Sequence, residues 1–178
     1  GSAIMNRLEK AAGHLRIFAS AVVKQQRYRR IVFVSTSDTC RAPMAAEILR
    51  QKNLEQEYVI DSRGLIALFP EPANQKAEAV MKSAQMTLVN HTANAFSEGE
   101  IGSDILVLTM EENQKLKIVS EYGDGGNVFT LSEFVEDETD IPNPYGKPLN
   151  VYGECLEKLS MLIDKLTEKL NSFAKGGT

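Results

Sequence analysis

The stretch Val34-Ser35-Thr36-Ser37-Asp38-Thr39-Cys40-Arg41-Ala42-Pro43 lies between an apolar run at 31–34 and a helical pattern that begins at Met44. This order predicts a strand, a short loop of small residues and the N-terminus of a helix, a geometry that presents backbone N–H groups to an anion. Arg41 can add a two-pronged hydrogen-bonding fork for phosphate-like oxygens. An ordinary β–α turn with Ser, Thr and Asp as capping residues is the alternative interpretation of this spacing.

Strand-like and helical patterns alternate along the rest of the chain. The apolar segments that predict strands are 31–34, 58–62, 104–110 and 128–131. The segments that predict helices are 42–53, 73–85 and 111–122, followed by a long helix whose buried stripe is Val151, Cys155, Leu159, Leu162, Leu166 and Leu170. This alternation predicts the α/β class, with a single three-layer domain, a four-stranded parallel sheet and helices on both faces.

The composition is that of an ordinary globular domain, because the 178 residues are 43% hydrophobic and 25% charged. That length suffices for one well-buried domain, which we place at residues 30–175. The formal net charge of -4 argues against nucleic-acid binding. No apolar run is long enough to cross a bilayer, so there is no firm membrane signal.

Residues 1–29 differ from the remainder in charge and pattern. Gly1-Ser2-Ala3 looks like an expression scar, and residues 4–28 repeat apolar side chains at helical spacing. Residues 1–30 carry seven Lys and Arg residues against one acid, Glu9, so the predicted helix is basic and amphipathic. Two interpretations stay open. The helix packs on the domain as an extra element, or it offers a surface to anionic lipid or a partner, including a second copy in a homodimer.

Cys40 and Cys155 are the only cysteines in the chain. They do not have the spacing of metal ligands, and two cysteines are too few for a disulfide framework. We therefore expect no metal site and a reducing, cytoplasmic location.

Two loops follow strands, one at 35–41 and an acidic, proline-containing one at 136–147. Because ligands bind beyond the carboxyl ends of parallel strands, we expect these loops to face one another across one site. Displacement at phosphorus in such a site needs a nucleophile below the phosphate and a proton donor above it. A thiolate suits the first role, whereas the pKa of a serine hydroxyl lies far above neutral. His14 and His91 lie outside both loops and are expected to be surface or packing residues.

The stretch from Ser35 to Pro43 resembles the signature of the low-molecular-weight protein tyrosine phosphatases, Cys-x-Gly-Asn-x-Cys-Arg-Ser-Pro. Ser35 falls on the position of the nucleophilic cysteine and Cys40 on that of the second cysteine. Arg41 falls on the phosphate-binding arginine, and Pro43 on the proline.

The family's second motif, Asp-Pro-Tyr or Asp-Pro-Phe, corresponds here to Asn143-Pro144-Tyr145. Ser62-Arg63-Gly64 is similar to the family's Ser-Ala-Gly, and the strand at 104–110 is similar to a family strand. Two motifs in the right order, over roughly residues 30–170, make the resemblance specific.

The resemblance implies a mechanism without a metal or another cofactor. A cysteine attacks the phosphoryl group to form a phosphocysteine, and an aspartic acid protonates the leaving group and then activates water. The loop holds the phosphoryl oxygens, which implies the phosphate-binding residues Thr36, Ser37, Asp38, Thr39, Cys40 and Arg41. The implied ligands are a phosphorylated protein or a small phosphate ester, with a phosphate or sulfate ion in the same loop.

This chain departs from the family pattern at both catalytic positions. Ser35 removes the thiolate, and Asn143 removes the acid because an amide cannot donate and recover a proton. Ser37 replaces a glycine, which matters if that residue needs positive φ. Asp38 replaces an asparagine and could set a negative charge near the phosphate, and Ala42 replaces a serine.

Two explanations of these departures stay open. In the first, Ser35 is an engineered substitution in an otherwise working phosphatase, and a nearby acid replaces Asn143, with Asp140 the nearest. In the second, the chain is a natural pseudophosphatase that binds phosphorylated partners without turnover. In either case the catalytic positions are Ser35, Arg41 and Asn143.

The substrate class also stays open between phosphotyrosine and phosphoarginine. Tyr145 matches the aromatic residue that flanks phosphotyrosine in the family, and Phe69 could form the opposite wall. By contrast, Thr39-Cys40-Arg41 is similar to the sequence of the phosphoarginine-directed members.

Overall fold

The computed structural model describes residues 2–8, 28–123 and 127–175. Residues 2–8 are helical and exposed. Most of the predicted N-terminal helix, including His14, falls on residues 9–27, outside the described residues. Its packing and its proposed contact with a second copy therefore stay predictions.

Four parallel strands form the predicted sheet. They are β1 (Arg30–Ser35), β2 (Val59–Gly64), β3 (Ile105–Thr109) and β4 (Val128–Thr130), in the spatial order β2-β1-β3-β4. The sheet confirms the predicted α/β class. This order places β1 between two neighbouring strands, and apolar cores on both faces of the sheet bury its apolar run completely.

The helices are α1 (Arg41–Arg50), α2 (Gln75–Ser83), α3 (Glu112–Tyr122), α4 (Leu131–Phe134) and α5 (Leu149–Lys175), with a short 3₁₀ helix at Glu98–Glu100. One apolar core lies between the sheet and α1, α2 and α5, and it takes Ile31 and Phe33 from β1. The other core takes Val32 and Val34 from the opposite face of β1 and packs against Ile118 of α3. The domain therefore has the predicted three layers.

The last strand ends one residue earlier than predicted. Leu131, expected in the strand, begins α4. Thr130 accepts a hydrogen bond from Glu133 N–H through its side chain, and the Glu133 carboxylate accepts one from Thr130 N–H. This capping box turns the chain into a helix directly after β4, so local polar contacts override the strand propensity of the apolar run.

The long C-terminal helix buries most of the predicted stripe, with two corrections. Val151 is half-buried, whereas Tyr152 and Ile163, which the predicted stripe omits, are buried. Within the described residues, no helix combines the length and the apolarity needed to cross a membrane.

Candidate active site

The loop from Ser35 to Arg41 connects the carboxyl end of β1 to the N-terminus of α1, and both of its end residues are buried. The chain turns at Asp38, whose φ of 57° lies in the left-handed region. Asp38 N–H donates to Ser35 Oγ at 3.2 Å, so the turn closes over the first residue of the loop. The positive φ falls on Asp38 and not on Ser37, so the serine that replaces the family's glycine is not strained in this way.

Backbone N–H groups of this loop are available to a ligand. Among the described residues, the N–H groups of Thr36, Ser37, Thr39 and Cys40 donate no hydrogen bond to protein atoms. The Ser37 and Thr39 hydroxyl groups are 2.8 Å apart and hydrogen-bond each other. Free N–H groups beside a helix N-terminus are the donors that the predicted anion site requires.

Gly64, at the end of β2, lies directly against this loop. A Cβ atom at position 64 would stand 2.8 Å from the Ser37 carbonyl carbon and 2.9 Å from Asp38 N. Glycine is therefore required here by the close approach of two backbones, which explains the Ser62-Arg63-Gly64 sequence beside the loop.

Asp38 is fully buried, and its carboxylate lies behind the loop. Oδ2 accepts a hydrogen bond from Asn94 N–H at 2.9 Å, and Oδ1 faces His91 Nε2 at 3.6 Å. Burial raises the pKa of Asp38, and the Ser62 hydroxyl and Asn94 N–H offset only part of this rise. The charged form of the Asp38 carboxylate is thus disfavoured by its own surroundings.

His91, expected to be a surface or packing residue, is half-buried and supports the loop. His91 Nε2 lies 2.6 Å from the Asp38 carbonyl oxygen. A carbonyl oxygen can only accept, so Nε2 carries the proton in this hydrogen bond.

Arg41 is 2% exposed and is held from two sides. Its Nη1 donates to the Ile141 carbonyl oxygen at 2.6 Å and forms an ion pair with Glu111 Oε2 at 3.0 Å. Ile141 lies in the loop at 136–147, so this contact joins the two loops that were expected to face one another. These two contacts hold the guanidinium in one orientation at the end of the loop.

The predicted catalytic position Asn143 is exposed, and its Oδ1 accepts a hydrogen bond from Tyr145 N–H at 3.2 Å. Asp140 is also exposed, and its Oδ1 accepts from Glu112 N–H at 3.1 Å at the start of α3. The two predicted walls, Phe69 and Tyr145, are 71% and 75% exposed. Both side chains are therefore free to contact a ligand and do not pack in the core.

A cavity of about 660 Å³ lies beside Asp140 and is lined by carboxylates. They are Glu112, Glu133, Asp137, Glu138 and Asp140. Lys115 pairs with Glu133 at 2.8 Å, and Lys165 lies 3.9 Å from Asp137, so two of these charges are compensated.

Cys40 contacts Cys155 of α5, and both thiols are free and buried. The hydrogen bond between them raises the pKa of Cys40, as does burial, and lowers that of Cys155. Cys40 Sγ lies 3.7 Å from Met44 Sδ, a second acceptor that its single S–H can reach instead of Cys155. In the described part of the chain, no group of three or more His, Cys, Asp and Glu side chains is arranged to hold a metal ion.

Glu111, His91 and Gln114 contact the loop or its arginine, and none of them belongs to the motifs that predict the site. Glu111 lies just after β3, at the same edge of the sheet as the loop. Because ligands bind beyond the carboxyl ends of parallel strands, this position could have been predicted as part of the site. His91 lies in an irregular segment, and no periodicity or motif indicates its contact with Asp38.

Residues 30–175 match the model of a family described as low molecular weight phosphotyrosine protein phosphatase. The chain is 36% identical over 137 residues to the low molecular weight protein-tyrosine-phosphatase PtpB of Staphylococcus haemolyticus, covering 77% of this chain and 96% of that protein. The structure of the YwlE arginine phosphatase from Geobacillus stearothermophilus is similar, with a TM-score of 0.75, 35% identity and coverage of 81% and 94%. A Cys-to-Ser mutant of YwlE arginine phosphatase with a phosphorylated active-site serine has a TM-score of 0.75, 28% identity and coverage of 83% and 99%.

Proposed function

The chain belongs to the low molecular weight phosphotyrosine protein phosphatase family, and from that premise we propose that its 35–41 loop binds the phosphoryl group of a phosphorylated protein. In this proposal Ser35 occupies the place of the nucleophile. The family is enzymatic, whereas the chain as written binds and captures a phosphoryl group with little or no turnover.

The observation that carries this proposal is the combination of a held arginine with free backbone donors. Arg41 is buried and fixed by Glu111 and Ile141, while four N–H groups of the same loop have no acceptor among the described residues. Such a set of donors complements the three oxygens of a phosphoryl group.

Ser35 supports capture and not repeated turnover. In the proposed step a bond forms between Ser35 Oγ and phosphorus, the bond from phosphorus to the leaving group breaks, and the hydroxyl proton passes to the leaving group. A hydroxyl is a weaker nucleophile and a poorer leaving group than a thiolate. Transfer is therefore slow, and the resulting phosphoserine is hydrolysed more slowly still.

The Cys-to-Ser mutant of YwlE arginine phosphatase supports this step, because its active-site serine is phosphorylated. That protein has a serine in its active site, as this chain has Ser35 in the loop. We therefore propose that Ser35 accepts a phosphoryl group from a sufficiently reactive donor.

Phosphoarginine is the donor that we favour over phosphotyrosine. A carboxylate such as Asp140 would favour a guanidinium leaving group, and the Thr39-Cys40-Arg41 sequence is similar to that of the phosphoarginine-directed members. The exposed rings of Phe69 and Tyr145 provide the flat walls that favour phosphotyrosine, which is the second candidate.

Intact-mass measurement tests the proposed capture. The chain is incubated with a phosphoarginine peptide or with a phosphotyrosine peptide, and its mass is followed over time. We expect one added phosphoryl group with the phosphoarginine peptide, mapped to Ser35 by peptide sequencing. The added group should be absent from Ser35→Ala, which lacks the acceptor, and from Arg41→Ala, which lacks the fixed guanidinium.

Phosphorylation of Ser35→Ala to the same extent would place the acceptor elsewhere and contradict the proposal. A larger yield with the phosphotyrosine peptide would reverse the order of the two substrate classes.

The pseudophosphatase alternative is favoured by Asn143, whose amide caps the turn at Tyr145 and cannot act as an acid. Ser35→Cys separates the two functions. If the chain is a disabled enzyme, this variant hydrolyses the phosphopeptide, and Asp140→Asn in the same background lowers the rate at least tenfold through loss of the acid. If Ser35→Cys binds phosphate but stays inert, the chain is a binding module.

We also propose a reducing, cytoplasmic location. Its support is the pair Cys40 and Cys155, which are in contact and are both free thiols.

A further inference from the structure

Gln114 is buried beneath the phosphate loop, and its side-chain amide uses its full hydrogen-bonding capacity. Oε1 accepts from Met110 N–H and Glu111 N–H, both at 3.0 Å. Because two backbone N–H groups point at this end of the amide, it must be the oxygen end, which sets the orientation of the Gln114 side chain. The Nε2 group, left pointing the other way, donates to Thr36 Oγ1 and to Glu111 Oε2, both at 3.1 Å.

These contacts form a continuous path across the site. Thr36 is the first loop residue after Ser35, and Glu111 Oε2 is the same atom that pairs with Arg41 Nη1 at 3.0 Å. One amide group of α3 thus holds the beginning of the loop and, through Glu111, the arginine at its end. The exposed fraction of Gln114 is only 4%, so water does not replace these bonds.

We propose that Gln114 is a positioning residue that sets the oxyanion affinity of the loop by holding Thr36 and the Glu111–Arg41 pair in one geometry. This inference rests on the proposed function, because it assigns a role within the same phosphate site. Gln114 does not touch the phosphoryl group and acts through its neighbours.

The oxygen end and the N–H end of the Gln114 amide have different roles, so a purely structural role can be distinguished from a positioning role. The oxygen end completes the capping box of α3, a task that a glutamate at this position performs equally well. The N–H end alone reaches the site. Gln114→Glu therefore keeps the cap, removes the donor and places a second carboxylate beside Glu111.

The test measures the dissociation constant of sulfate by NMR titration, since sulfate remains a dianion over the pH range used. At about pH 7.5 we expect Gln114→Glu to bind sulfate about tenfold more weakly than the unmodified chain, because a buried donor is lost and like charges repel. At about pH 5 the paired carboxyls take up a proton, which restores the donor and most of the affinity.

Asn113→Asp is the matched control, because it makes the same amide-to-carboxylate change at the preceding, exposed residue of α3. Its sulfate affinity should equal that of the unmodified chain at both pH values. If Gln114→Glu does not fold, Thr36→Val removes the hydroxyl to which Gln114 Nε2 donates and should weaken sulfate binding about threefold.

The outcomes distinguish this inference from the proposed function. An unmodified chain that binds no sulfate, or an Arg41→Ala variant that binds it unchanged, refutes the phosphate site itself. Normal binding by Gln114→Glu, a loss that is equal at both pH values, or unchanged binding by Thr36→Val refutes the role of Gln114 alone.

Discussion

At the residue scale, Asp38 combines a left-handed backbone with a buried carboxylate. Its short polar side chain tolerates the φ of 57° that the loop requires, as asparagine also does. Its charge, however, is unfavourable in this position, because burial raises the pKa of Asp38 above its usual value of 3.8.

The raised pKa of Asp38 gives the free energy of unfolding a predictable pH dependence. Between the usual value of 3.8 and the raised folded value, the folded state binds the proton more tightly than the unfolded state. The contribution of Asp38 to stability is therefore full below 3.8 and is lost as pH rises through the folded pKa. Asp38→Asn should raise the free energy of unfolding by about 1 kcal/mol near neutral pH.

Urea denaturation at several pH values checks this prediction. The difference between Asp38→Asn and the unmodified chain should shrink as the pH is lowered toward the usual pKa of Asp38. Asp104→Asn, at an exposed aspartate just before β3, serves as the control and should show no comparable trend. If the difference in the free energy of unfolding between the two proteins is the same at every pH, the charge of Asp38 is not what destabilises the unmodified chain.

At the element scale, we expect the close backbone contact between β2 and the 35–41 loop to be the point of the candidate site most sensitive to substitution. Gly64→Ala forces a Cβ into backbone atoms of Ser37 and Asp38 that cannot rotate away. We expect this variant to lose about 2 kcal/mol of stability and to bind sulfate at least tenfold more weakly.

Gly153→Ala provides the matched control for that change. Gly153 lies within α5, and a Cβ there meets no atom within 4 Å. Alanine should raise the free energy of unfolding by about 0.5–1 kcal/mol and leave sulfate binding unchanged. Thermal unfolding and sulfate titration of the two variants together check both expectations. Equal behaviour of the two variants would contradict the close approach at Gly64.

The elements themselves could be predicted because their signals are local. Apolar runs such as 31–34 and 104–110 indicate strands, and their alternation with helical periods indicates a parallel sheet. The motifs around Ser35 and Asn143 indicated both loops of the site. The start of α4 at Leu131 could not be predicted in the same way, because the capping box of Thr130 and Glu133 competes with strand propensity.

Contacts between distant residues account for most of what the sequence did not reveal. Arg41 lies 100 residues from Ile141, and Asp38 lies 53 residues from His91. Such pairs depend on the fold bringing separate loops to one sheet edge, and a single sequence does not encode them as a pattern. The family resemblance predicted the residues of the loop, but it did not predict the residues that contact and support the loop.

At the scale of the whole molecule, the N-terminal residues differ from the domain that carries the site. Residues 2–8 are helical, and Ile4, Met5 and Leu8 are between 57% and 61% exposed. Exposed apolar side chains clustered on one short helix favour association with another surface. The family match begins at residue 30, so residues 2–8 lie outside the phosphatase-like domain.

Removal of residues 1–27 should therefore change the assembly of the molecule and not its site. Tyr28 must stay, because its ring packs 6.5 Å from that of Phe134 and 6.3 Å from that of Phe173. We expect the full chain to form a concentration-dependent dimer in analytical ultracentrifugation and the shortened chain to be monomeric, with a sulfate dissociation constant changed by less than about twofold. Ile4→Gln with Leu8→Gln should reproduce the loss of the dimer, whereas Arg7→Gln on the same helix should not. If the full chain remains monomeric at high concentration, the homodimer is excluded. The N-terminal helix would then bind a different partner.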